Sequence, residues 1–288
     1  MGAISRYAIR RVRGQILGWG IGLGLLALML VSMYDSIARL DDQLEAVLQG
    51  FPAELQVFVG GLTEYGTPEG FLAVEFFSYM PLILGIFAIS LGSGLLVADE
   101  EAGILDLIAA YPLSRQALFW GRWLASVGSL ILVCLLTWVA FVVSLPLSSS
   151  LNISPGRLAR PMVALLVQLL LFDALALFLS LLLPSRRAAS MVSGLLLVAS
   201  FFVTGLGRLN ETVEEIARFS PLTYYQTVDA FDGLNLRWIG ALVATALAFT
   251  AVSAWAFERR DIRVGGERGW RWPRLHLRRA SGSVGGTE

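Results

Sequence analysis

The run Pro161-Met162-Val163-Ala164-Leu165-Leu166-Val167-Gln168-Leu169-Leu170-Leu171-Phe172-Asp173-Ala174-Leu175-Ala176-Leu177-Phe178-Leu179-Ser180-Leu181-Leu182-Leu183 decides the fold. It is almost wholly apolar, and Asp173 is its one charged residue. Crossing roughly 30 Å of hydrocarbon takes about 20 mostly apolar residues at about 1.5 Å of helical rise each, so a run of this kind reads as a membrane helix. Working outward, residues 15–34, 76–98, 123–147, 188–206 and 238–257 form five further runs without a charged side chain. The expected fold is therefore an all-α integral membrane protein with six transmembrane helices. The first run follows a basic start, but it exceeds a signal-peptide core and lacks a small-x-small cleavage site, so it reads as a retained anchor.

Composition narrows the function. The chain has 288 residues, of which 56% are hydrophobic and 15% charged, far from a soluble domain. Its 22 basic and 22 acidic residues cancel, which gives no reason to expect nucleic acid as a partner. Every basic residue is an Arg, and the chain contains no Lys. The phosphate-binding loop G-x-x-x-x-G-K-[ST] needs its Lys at the β/γ-phosphates, so any ATP must be bound by another subunit. With one Cys, Cys134, and one His, His276, an intramolecular disulfide is impossible and a metal site is not expected.

Orientation follows from the arginines, because short cytoplasmic segments hold the excess positive charge. With the N-terminus inside, sixteen Arg fall on the inner segments and six outside, Arg157 and Arg160 among the six. Both termini are then cytoplasmic. The expected organisation is an N-terminal amphipathic segment 1–14, a transmembrane domain 15–257 and an Arg-rich tail 258–288. The transmembrane domain carries external loops 35–75 and 207–237 and an inner loop 99–122. In the first external loop, Ile37, Leu40, Leu44, Val47, Leu48 and Phe51 recur at helical steps and predict an amphipathic helix. Thr67-Pro68-Glu69 reads as an N-cap, a first-turn Pro and a favourably placed acid, opening a helix that runs into the second span, where Pro81 kinks it. Ser220-Pro221 opens another short helix reaching about Asp232, with Gly233 as its stop. The segments around Arg6–Arg13 and Arg268–Arg279 interleave Arg with Tyr7, Trp270 and Trp272. They suit contact with anionic membrane lipid, or else are a positive-inside flank and a disordered tail.

The inner loop holds the most specific signal. An acidic cluster, Asp99, Glu100 and Glu101, ends the second run, and Ile104, Leu105, Leu107 and Ile108 form a short apolar turn before Pro112. Such a turn suits either a protein groove or a helix lying flat at the membrane surface. Here the sequence resembles the permease subunits of type 2 ABC transporters, whose inner loop reads E-E-x-G-x-L-x-x-L-x-x-x-P-x-S-R. Glu100, Glu101, Gly103, Leu105, Ile108, Pro112, Ser114 and Arg115 match, with Ile at one Leu place. Ser220-Pro221-Leu222-Thr223-Tyr224-Tyr225 resembles the S-P-x-x-Y-Y segment before the last span, and Phe257-Glu258-Arg259-Arg260-Asp261 the F-x-R-R-D that closes it.

The resemblance implies an exporter in the cell membrane, built from two permeases, identical or related, and two cytoplasmic P-loop ATPases that bind ATP and Mg. The permease chain itself would carry no cofactor and no catalytic residue. The inner loop would be the coupling helix, with residues 101–111 in a cleft of the ATPase. Hydrophobic small molecules such as drugs or antibiotics, or lipids, are the expected cargo.

Two features stand apart from the motifs. Asp173 costs about 2.5–3.5 kcal/mol at a helix centre, so it is expected to line the translocation path or to be a hydrogen-bonded packing residue, with Thr137 or Gln168 as partner. Gly18, Gly20, Gly22 and Gly24 give the first span two overlapping G-x-x-x-G spacings suited to helix packing. Three other classes compete with the exporter, the first a purely structural anchor or assembly factor, which would leave the inner loop without a purpose. An ion-coupled secondary transporter would show internal repeats and broken polar helices. A membrane enzyme acting on lipids would need clustered acids such as Asp99, Glu100, Glu101 and Asp106.

Overall fold

The computed structural model describes residues 2–38, 66–101, 114–207 and 211–259. Within them all regular structure is helical. The helices are α1 (Gly2–Ala38), α2 (Pro68–Leu72), α3 (Met80–Gly94), α4 (Val97–Glu101), α5 (Arg115–Ser144), α6 (Pro155–Leu182), α7 (Arg186–Gly207), α8 (Glu211–Ala217), α9 (Asp229–Asp232) and α10 (Leu236–Arg259). Five of these, α1, α5, α6, α7 and α10, are each long and apolar enough to cross a membrane; α2 and α3 pass the same test only as a pair, either a broken sixth span or a re-entrant loop, and the pair is called span two below.

The local chemistry of the chain explains where the helices start. Thr67 accepts the Gly70 N–H at 3.0 Å ahead of Pro68, as the sequence predicts. Ser114 caps α5 through the Ala117 N–H at 3.1 Å, and Ser154 caps α6 through the Arg157 N–H at 3.4 Å. Spans three and four therefore begin at Arg115 and Pro155, earlier than their charge-free runs, because a cap rather than the last charge sets a helix start. Residues 2–13 continue α1 without a break, and Ser5 reaches α5 by donating to the Gly121 carbonyl at 2.8 Å. The amphipathic pattern at 40–51 lies outside the described residues.

The second span bends as expected, but just ahead of Pro81, at the break between Phe77 and Met80, with Pro81 in the first turn of α3. A π-turn, Ala73–Phe77, follows α2, and the two halves meet at 41°. Ser78 fills the wide turn by sending both its N–H and its hydroxyl to the Ala73 carbonyl, at 2.8 and 2.7 Å. Pro81 has no N–H for the carbonyl four residues back, that of Phe77. Tyr225 supplies the missing donor, its hydroxyl 2.9 Å from that oxygen.

Helix α6 is the centre of the bundle. It packs against α3, α10, α7 and α5, while α1 lies along α5. The segment between spans five and six differs from the single short helix predicted: a 3₁₀ turn, Pro221–Tyr224, and α9 are separated by irregular chain, with α8 ahead of them. Gly233 does end α9, in an extended conformation with φ 179°. Ser220 does not cap the turn, since its hydroxyl pairs with Thr204 at 2.8 Å and bonds the Ser200 carbonyl at 3.1 Å on α7.

Candidate functional site

At the N-terminal end of the bundle, the chain enters and leaves the 102–113 segment. Glu101 closes α4, and its Oε1 accepts the backbone N–H of Arg186, the first residue of α7, at 2.8 Å. A carboxylate there satisfies one of the donors a helix start leaves free and sits at the positive end of its dipole. The Arg186 side chain runs the other way, donating from Nη2 to the Ser90 carbonyl and hydroxyl on α3 at 3.2 and 3.3 Å. Gly94 makes room for it, because a Cβ there would lie 2.9 Å from the guanidinium carbon. Arg122 of α5 donates to the Leu95 carbonyl at 3.0 Å, and the hydroxyls of Ser93 and Ser190 pair at 2.8 Å. Spans two, three and five are thus tied in one polar knot at this end of the bundle.

Of the residues matched in the loop motif, Glu101, Ser114 and Arg115 are placed. Ser114 caps α5, and Arg115 is exposed at its start. Gly103, Leu105, Ile108 and Pro112 lie outside the described residues, as does the side chain of Glu100.

At mid-bundle, Asp173 on α6 is buried, at 1% exposure, and accepts the Ser126 hydroxyl of α5 at 2.6 Å. Neither expected partner meets it. Thr137 spends its hydroxyl on the Val133 carbonyl of its own helix at 2.9 Å, the usual resort of a Thr in apolar surroundings. Gln168 is fully buried, and neither amide atom has a hydrogen-bond partner among the described residues. The backbone of Asp173 is also a contact: a Cβ on Gly92 of α3 would fall 2.1 Å from its carbonyl oxygen, so α3 and α6 approach as only Gly allows.

The glycines of α1 divide by face. A Cβ on Gly24 would meet Ala140 at 3.4 Å and one on Gly20 would meet Leu136 at 2.8 Å, both on α5. A Cβ on Gly18 or Gly22 would meet nothing within 4 Å among the described residues.

At the opposite end, charged groups join three elements. Arg157, at the start of α6, pairs with Glu69 of α2 at 2.7 Å and Asp232 of α9 at 2.5 Å. Arg160 donates to the Phe231 and Asp232 carbonyls at 2.7 and 2.8 Å. These are two of the arginines that break the charge asymmetry, and here they close the end of α9. Asp35, near the end of α1, gathers the Ser148 hydroxyl, the Ser149 N–H and hydroxyl and the Ser150 N–H.

Sequence reasoning missed Arg186, Ser126, Gly92 and the Tyr225–Phe77 link. Pro81 alone gave a signal, since the carbonyl it orphans must find a donor. The other pairs join residues far apart in sequence and leave no local pattern.

In comparisons with known proteins, the family model described as ABC-2 family transporter protein matches residues 14–262. No curated protein matches the chain. The match takes in nearly all of the candidate spans and the Glu100–Arg115 motif together with the Ser220–Tyr225 segment, and on it the chain belongs to the ABC-2 family of membrane transport permeases.

Proposed function

We propose that the protein is one of two permease subunits of an ATP-driven exporter in the cell membrane, with both termini in the cytoplasm. Residues 101–111 dock into a partner ATPase, which holds ATP and Mg, and two such ATPases serve the permease pair. The single observation that carries this reading is the inner loop. Its motif runs from Glu100 to Arg115, its described ends are the knot at Glu101 and the capped start of α5, and the chain has no Lys from which to build a phosphate loop of its own.

A cargo path between the two permeases follows from alternating packings of the spans. ATP drives the change only by binding one packing better than the other. Hydrophobic small molecules such as drugs or antibiotics, or lipids, are the proposed cargo.

The test is affinity purification of the tagged protein from its own membranes in mild detergent, with partners identified by mass spectrometry. A P-loop ATPase recovered in equal amount, and lost when residues 102–111 are scrambled in a chain that still folds, is expected. A stable complex without an ATPase overturns the reading.

A further inference from the structure

Spans two and three flank the inner loop and are joined to it by the chain, so any push on the loop reaches them covalently. Span five is remote in sequence. We infer that span five is driven by the same loop through the knot at its first residue, with Glu101 and Arg186 as the positioning residues that carry the movement. This inference rests on the coupling reading of the loop given above.

Two groups of Arg186 are engaged in opposite directions. Its N–H holds the Glu101 carboxylate, one residue from the 102–113 segment, and its guanidinium grips Ser90 on span two in the space left by Gly94. A displacement of Glu101 therefore pulls on the N-terminus of α7 itself, and a helix transmits an axial or tilting push along its length because its backbone bonds are continuous. The Ser93–Ser190 pair, one turn further along α7, makes spans two and five move together rather than slide. At its far end α7 is held in turn: Thr204 bonds Ser220, and a Cβ on Gly207 would lie 2.6 Å from that of Ala217 in α8. Ser220 belongs to the same segment as Tyr225, which is bonded to the kink of span two. Span five thus joins the inner loop to the segment at the opposite end of the bundle.

The experiment uses the permease co-purified with its ATPase in proteoliposomes. A spin label is placed at either Leu147→Cys, at the far end of span three, or Leu206→Cys, at the far end of span five; both positions are exposed. Cys134 is buried and does not compete for the label. In the parent, ATP, Mg and vanadate change the spectra of both labels. In Arg186→Pro, which removes both the N–H that Glu101 accepts and the guanidinium at a first helical position where proline is tolerated, the change at Leu147→Cys persists and that at Leu206→Cys is lost. An undiminished response at Leu206→Cys overturns the inference, whereas a parent in which neither label responds removes the coupling reading itself. If Arg186→Pro does not assemble with the ATPase, Arg186→Gln keeps the backbone bond to Glu101 and loses only the grip on Ser90, and a partial loss confined to Leu206→Cys is expected; equal responses at both positions again overturn the inference.

Discussion

Helices α6 and α7 are both long apolar spans, yet 67% of the most apolar window of α6 is buried inside the molecule and only 22% of that of α7. Leu is the more frequent in α6, 11 of 28 residues against 4 of 22 in α7, but Leu alone does not bury a helix, because lipid tails are as apolar as Leu and a membrane helix gains nothing by hiding it. What separates them is what else they carry. Helix α6 buries Gln168, Asp173 and Ser180 along its length, together with Phe172 and Met162. Helix α7 turns Met191, Leu195, Phe202 and Leu206 outward and buries little beyond Ala189, Ser193 and Leu197. The interior of this bundle is therefore marked by polar and close-packed positions, and its surface by plain hydrophobicity.

The largest effect expected from that contrast is at Phe172. Phe172→Ala opens a cavity in the central helix and should cost about 3 kcal/mol, less than the top of the range for soluble cores because the lipid-exposed reference is also apolar. Leu195→Ala on α7 should change stability by less than about 0.5 kcal/mol. The thermal midpoint in detergent, followed by the fluorescence of the eight Trp, measures both. Equal shifts would break the comparison.

Gly92→Ala comes next, at about 1–3 kcal/mol, since its Cβ would strike the backbone oxygen of Asp173 rather than a side chain that can rotate away. Gln168→Leu should raise stability by about 1–2 kcal/mol, as it removes a buried amide that has no partner among the described residues. A loss of stability on Gln168→Leu, or of transport with stability kept, would assign the amide a task outside packing. Tyr225→Phe should cost about 1 kcal/mol through the orphaned Phe77 carbonyl, read in the same melts. The smallest effect is at Gly22→Ala, within about 0.5 kcal/mol because nothing among the described residues stands within 4 Å of the new methyl. A marked drop in the recovery of paired permeases from Gly22→Ala would show that a second copy packs on that face.

Legibility differed between fold and site for physical reasons. A span is a property of some twenty consecutive residues, and a cap or a proline bend is a property of three or four, so both are readable along the chain. Thr67 and Pro81 behaved as their local chemistry requires. Asp173 announced itself by its cost, but its partner Ser126 lies on another helix, and the polar candidates nearest to hand were already committed or unpaired. The two arginines on the wrong side of the charge rule, Arg157 and Arg160, were visible as exceptions. Their purpose became clear only where α2, α6 and α9 converge.

By itself, the sequence determined that the chain crosses a membrane, about where each span lies, that no Lys-bearing phosphate loop exists in it, and that the inner loop resembles a coupling element. Each of these depends on local composition or on a short motif. Only the tertiary structure decided that α6 is central, that Gly20 and Gly24 face α5 while Gly18 and Gly22 face outward, and that the acid ending span two caps the start of span five. Those outcomes depend on which apolar faces meet, and in a chain where nearly every face is apolar, close approach and the pairing of a few polar groups make that choice.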